Sequence, residues 1–93
     1  MSNYARLSSQ GDSITVGGAG TMTILRGINV NTGVASTSVR IYEGTASPSA
    51  SSRLIGVFGG TAQVNLMNLN LEIRNGFRAE ALGGNPDAIV VYD

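Results

Sequence analysis

The side chains able to do chemistry in this chain are six carboxylates and six arginines. They are Asp12, Glu43, Glu72, Glu80, Asp87 and Asp93 against Arg6, Arg26, Arg40, Arg53, Arg74 and Arg78. There is no His, Cys, Trp or Lys. General acid–base catalysis draws mostly on His, and tight metal sites mostly on His or Cys. What remains is a carboxylate pair. Glycoside hydrolysis needs two carboxylates at about 5–9 Å, and calcium also takes carboxylate oxygens. Glu72 and Glu80 can approach across Asn75-Gly76, but so can Arg74 and Arg78. The simpler reading is opposite charges alternating on a solvated strand face. Asp87, in Gly-Gly-Asn-Pro-Asp, reads as a turn residue.

Gly17-Gly18-Ala19-Gly20 is the one stretch with the look of a phosphate loop. That chemistry needs a turn feeding a helix N-terminus, and in a Walker loop also a Lys. Here a strand pattern follows and Lys is absent, so the stretch reads as an interstrand turn. The expectation is therefore no enzyme, no catalytic residue, no cofactor and no metal ligand.

Recognition is the other use for such side chains. Asn29, Asn31, Asn65, Asn68 and Asn70 can hydrogen-bond a sugar, or they can form the polar face of strands packed in an oligomer. Arg and aromatic residues are favoured at interface centres, which makes Tyr4, Arg6, Arg40 and Tyr42 the candidate partner contacts. Nucleic-acid affinity comes largely from Lys and Arg neutralising phosphates. A net charge of +0 argues against such a partner. Near-neutral charge also favours association. No apolar run approaches the roughly 20 residues of a membrane helix. Residues 1–6 lack the pattern of a signal peptide, so no membrane partner is expected.

The elements that must hold these side chains are strands. Gly is frequent, 13 of 93 residues, and apolar residues mostly alternate. That is the period of half-buried strands. Residues 1–11 read as an irregular N-terminal arm, and 12–93 as a single domain. Asp12–Val16 makes a short strand and Thr21–Asn31 a long one. The long one needs a β-bulge near Arg26-Gly27 to keep its apolar residues in phase. A loop follows over Asn31–Ala35. Ser36–Glu43 places Val39 and Ile41 inward and Arg40 and Tyr42 outward. Gly44–Ser52 is a small-residue loop, and Arg53–Phe58 a strand turned by Gly59-Gly60. Val64 and Leu66 differ in phase from Leu69, Leu71 and Ile73, so a bulge or a break sits at Met67-Asn68. Asn75-Gly76 is a strong hairpin signal, predicting that Leu69–Arg74 pairs with Phe77–Leu82. Gly83–Asp87 is a loop. The last strand, 88–93, is apolar on both faces, hence central or covered. Seven or eight short strands predict an all-β fold, a small antiparallel β-sandwich or jelly-roll-like domain. So short a chain has a modest core of its own and is expected to lean on partner copies.

Three stretches together resemble a family of small bacteriophage virion structural proteins. The strand TILRGINVNTGVAS is followed by STSVRIYEGTAS, and NGFRAEALGGNPDAIVVYD comes last. The resemblance covers about residues 18–93. The Asn65–Asn70 run and the N-terminal arm depart from the family pattern. The resemblance implies a β-sandwich that decorates or cements an icosahedral head. Such a protein is often a trimer and binds between major capsid subunits. It also admits a tail, fibre or head–tail component. The implied location is the capsid surface of a virion, after synthesis in the host cytoplasm. A carbohydrate-binding module is the alternative from another class.

Overall fold

A computed structural model describes residues 3–31, 37–45, 53–60, 64–83 and 87–93. Among them are nine strands: β1 (Asn3–Leu7), β2 (Ser13–Val16), β3 (Met22–Asn31), β4 (Thr37–Glu43), β5 (Leu54–Gly60), β6 (Val64–Leu66), β7 (Leu71–Arg74), β8 (Phe77–Leu82) and β9 (Asp87–Tyr92). They form two antiparallel sheets. The first has the order β1-β9-β3, with β6 and β7 sharing the far edge of β3. The second has the order β2-β8-β4-β5. The fold is a small all-β sandwich, as the alternation predicts.

The two sheets meet over one apolar cluster. Leu7, Leu25, Ile28, Val30, Ile73, Ala88 and Val90 come from the first sheet; Val39, Ile41, Phe77, Ala79 and Ala81 come from the second. Alternation puts these side chains inside. In β4, Val39 and Ile41 are buried while Arg40 is exposed and Tyr42 half-buried. In β9, Ala88 and Val90 point in, and the strand lies between β1 and β3. Phe77, fully buried, meets Tyr92 of the opposite sheet edge-to-face at 6.0 Å between ring centroids. The one buried polar side chain among the described residues, Thr23, is satisfied because its hydroxyl donates to the Ile73 carbonyl at 3.2 Å.

The expected bulge is present: the β3–β9 register shifts between Leu25 and Gly27. The shift moves the inward positions from Thr23 and Leu25 to Ile28 and Val30. The phase change at Met67-Asn68 is a break. β6 ends at Leu66 and β7 begins at Leu71, and both pair with β3 on either side of its bulge. The Leu69 amide reaches the Arg26 carbonyl at 2.9 Å across this gap.

Three local expectations are corrected. Residues 3–7 of the supposed irregular arm form an edge strand paired along its length with β9, because Leu7 gains full burial and the ladder satisfies the backbone. Gly59-Gly60 does not turn the chain but continues β5, opposite Ser38 and Thr37. The Asn75-Gly76 hairpin does not form. β7 pairs with β3, whereas β8 pairs with β2 and β4. The turn itself has the expected left-handed residues, with φ 67° at Asn75 and 74° at Gly76. It carries the chain from one sheet to the other. Its polar groups bind neighbouring loops: the Gly20 amide donates to Asn75 Oδ1 at 2.9 Å, the Gly76 amide to the Thr21 carbonyl at 3.2 Å, and the Gly44 amide to the Gly76 carbonyl at 2.8 Å. The loop around residue 33, the tip of the 44–52 loop and the turn containing Pro86 lie outside the described residues.

Candidate interaction surfaces

Five of the six carboxylates are held by arginines or turn amides. Asp87 pairs with Arg6 at 2.9 Å, Asp93 with Arg26 at 2.7 Å, Glu80 with Arg78 at 3.0 Å and Glu43 with Arg53 at 3.6 Å. Asp12 accepts from the Ser8 and Ser9 amides at 3.1 and 2.9 Å and so closes the turn after β1. Glu72 stands in the first sheet and Glu80 in the second, so no hairpin brings them face to face. Among the described residues no three His, Cys, Asp or Glu gather where a metal ion can sit, and no helix is long and apolar enough to cross a membrane. The glycine stretch 17–20 links β2 to β3. A Cβ on Gly17 would meet Thr23 Cγ2 at 2.8 Å and Gly76 Cα at 3.2 Å, whereas Gly18 and Gly20 face open space, so only the start of the stretch is closely packed, and it leads into a strand rather than a helix.

The four candidate contacts do not form one site. Leu7 points into the core, so alternation along β1 sends Tyr4 and Arg6 to the outer face of the first sheet. Tyr4 is 73% exposed and stands opposite Val91; Arg6 stands opposite Ile89. The same row continues from Ile89 to Asn29 of β3 and Asn65 of β6. Arg40 and Tyr42 lie on the outer face of the second sheet, on the other side of the sandwich. There Arg40 is flanked by Glu80 and Val57, and Tyr42 by Arg78 and Leu54.

The asparagines divide as well. Asn29 and Asn65 are direct cross-strand partners. Asn29 Oδ1 is buried without a hydrogen-bond partner, an acceptor awaiting a donor in a region otherwise satisfied. Asn70 accepts from Arg26 Nη1 at 2.7 Å and thereby braces the bulge. Asn68 is exposed.

A third surface had no flag in the sequence reading. On the flank where β5 and β7 end their sheets, Glu43, Arg53, Leu54, Ile55, Leu71, Glu72, Ile73 and Arg74 line a groove of about 440 Å³. Its lining is half apolar and half charged, with both signs of charge present. Beside it β5 exposes Leu54 (47%) and Val57 (53%), and the β6–β7 segment exposes Met67 (51%). The available signal was the run Leu54–Gly60, LIGVFGG, seven residues without a charge. No family model matches this chain, and neither a curated protein nor a solved structure does.

Proposed function

We propose that this protein is a structural component of a bacteriophage virion, a head decoration or cement protein that binds between major capsid subunits of the assembled shell. It works by adhesion and catalyses nothing. The observation that carries this reading is the spread of exposed apolar and aromatic side chains over both outer faces and the open flank, from Tyr4 and Ile89 to Leu54 and Val57. A small-molecule site concentrates its groups in one concavity. A subunit held among neighbours needs contacts on several sides. The absence of net charge and the resemblance of residues 18–93 to small virion proteins support the same reading.

Copies form a symmetric oligomer whose exposed faces grip adjacent capsid subunits. A ligand that binds the assembled shell and not free subunits stabilises the shell by mass action. The test is to strip the protein from shells, add it back, and follow heat release of the contents. Add-back is expected to raise the temperature of release; equal resistance with and without the protein sinks the proposal. Attachment to isolated tails instead of shells would move the protein to a tail or fibre role within the virion. A carbohydrate-binding module is the second reading, favoured by the paired Asn29 and Asn65 with an unpartnered carbonyl oxygen. Binding of the purified chain on a glycan array would bring it forward.

A further inference from the structure

Among the described residues the sandwich leaves strand edges open at β1, β2, β5, β6 and β7. Open edges invite pairing, and proteins blunt them by shortness, charge or proline. β1 carries Arg6, β7 carries Glu72 and Arg74, β2 has four residues and β6 three. Among the described residues β5 has the least protection: seven residues, no charge, no proline, two large side chains half exposed, and a bulge only at Ile55, which leaves Gly56–Gly60 in register with β4.

Its order of sizes is also self-complementary. Laid antiparallel against a second β5 with Val57 on a two-fold axis, Leu54 falls opposite Gly60, Ile55 opposite Gly59, and Gly56 opposite Phe58. Each bulky residue off the axis then meets a glycine. The β4–β5 register shift leaves Ile55 as the extra residue at the start of the strand, and the facing Gly59 has no side chain to oppose it. On the outer face Val57 already neighbours Arg40, which neighbours Glu80. The two-fold continues this row through Val57 into its copy, with both valines shielded between arginine stems.

We propose that two copies of this chain pair through β5, antiparallel about Val57, joining their four-stranded sheets into one of eight strands. This interface is isologous, the commonest kind in soluble oligomers. The proposal does not depend on the virion reading.

The test uses the full chain in sedimentation equilibrium. Wild type is expected to reach a dimer. Val57→Lys, at a half-exposed position where circular dichroism should show the fold intact, is expected to weaken the dimer at least tenfold. Thr15→Lys, on the opposite edge of the same sheet, is expected to leave it unchanged. Because the chain has no Cys, Val57→Cys reports the axis directly: mild oxidation should give a disulfide-linked dimer, while Thr15→Cys should stay largely monomeric on the same gel. A monomer at all concentrations overturns the proposal. So does a trimer, a dimer indifferent to Val57→Lys, or equal cross-linking at both cysteines. None of these outcomes touches shell binding, which is measured separately.

Discussion

Gly76 is the position where a single atom matters most. Its φ of 74° is left-handed. A Cβ there would press into the Val16 carbonyl oxygen and the Gly18 amide nitrogen, both backbone and unable to swing aside. Gly76→Ala should therefore cost about 2 kcal/mol or more, from strain at a left-handed site together with the clash. Urea unfolding should show a lower midpoint with an unchanged slope. Asn75→Ala removes the acceptor of the Gly20 amide and a residue tolerant of positive φ; its expected cost is smaller, about 1–2 kcal/mol. A different kind of loss follows from Phe77→Ala, which empties the largest fully buried side chain. Such truncations cost about 3–5 kcal/mol. Against a total of about 5–15 kcal/mol for a typical domain, this variant should melt far below wild type in a calorimeter. The surface arginines stand at the other extreme. Arg6 and Asp87 are both more than half exposed in their ion pair, and among the described residues Arg40 makes no ion pair. Arg6→Ala and Arg40→Ala should each change stability by less than about 0.5 kcal/mol. Any loss of shell binding in these variants then reports contact rather than folding.

At the scale of elements, the bulge in β3 organises one sheet. Two short strands, β6 and β7, share an edge of β3 because the chain detaches between them opposite Arg26. Arg26 fastens the junction by holding Asn70 and Asp93 at 2.7 Å each. Replacing Arg26 with Met keeps much of its bulk and deletes both bonds. Since the group is partly exposed, the expected cost is about 1 kcal/mol. The local effect should be the sharper one: hydrogen exchange at the Leu69 amide should quicken more than at Val90 in the core, because opening confined to the junction frees the former only. The sequence announced this element well. Apolar residues change parity at Arg26-Gly27 and again at Met67-Asn68, and both changes correspond to real departures from a regular ladder. It announced the turn at Asn75-Gly76 equally well, but not what the turn joins.

For the whole molecule, the consequential fact is how thin it is. The extents are 37 × 31 × 16 Å, two sheets enclosing one layer of side chains. Such a domain has little interior and much face and edge. That geometry suits an adhesive part, and it places the four candidate contact residues on two opposed surfaces. If both faces engage neighbours in a shell, Arg6→Ala and Arg40→Ala should each weaken shell binding. The double variant should then lose the sum of the two effects in free energy, since the sites share no partner and lie on opposite sheets. A single variant without effect in a binding titration would mean that its face is not used, and marked non-additivity that the two sites are coupled.

What the sequence by itself determined is what short-range physics encodes. Period-two alternation made the chain all-β and turned Val39 and Ile41 inward. A missing phase required the bulge. Apolar residues on both faces of 88–93 predicted a strand that is central or covered, and β9 is central, between β1 and β3. Left-handed φ at Asn75 and Gly76 followed from residue type alone. Only the tertiary structure decided which strands pair. Asn75-Gly76 serves a hairpin and a crossing between sheets equally, and the ladders that β3 and β4 offer lie far away in sequence. For the same reason residues 3–7 looked irregular: five residues with one well-buried side chain carry no strong period, and only the waiting edge of β9 makes them a strand. The separation of Tyr4 and Arg6 from Arg40 and Tyr42 is of this kind too. Alternation shows that a side chain points outward from its strand, while the packing of two sheets determines which outside that is.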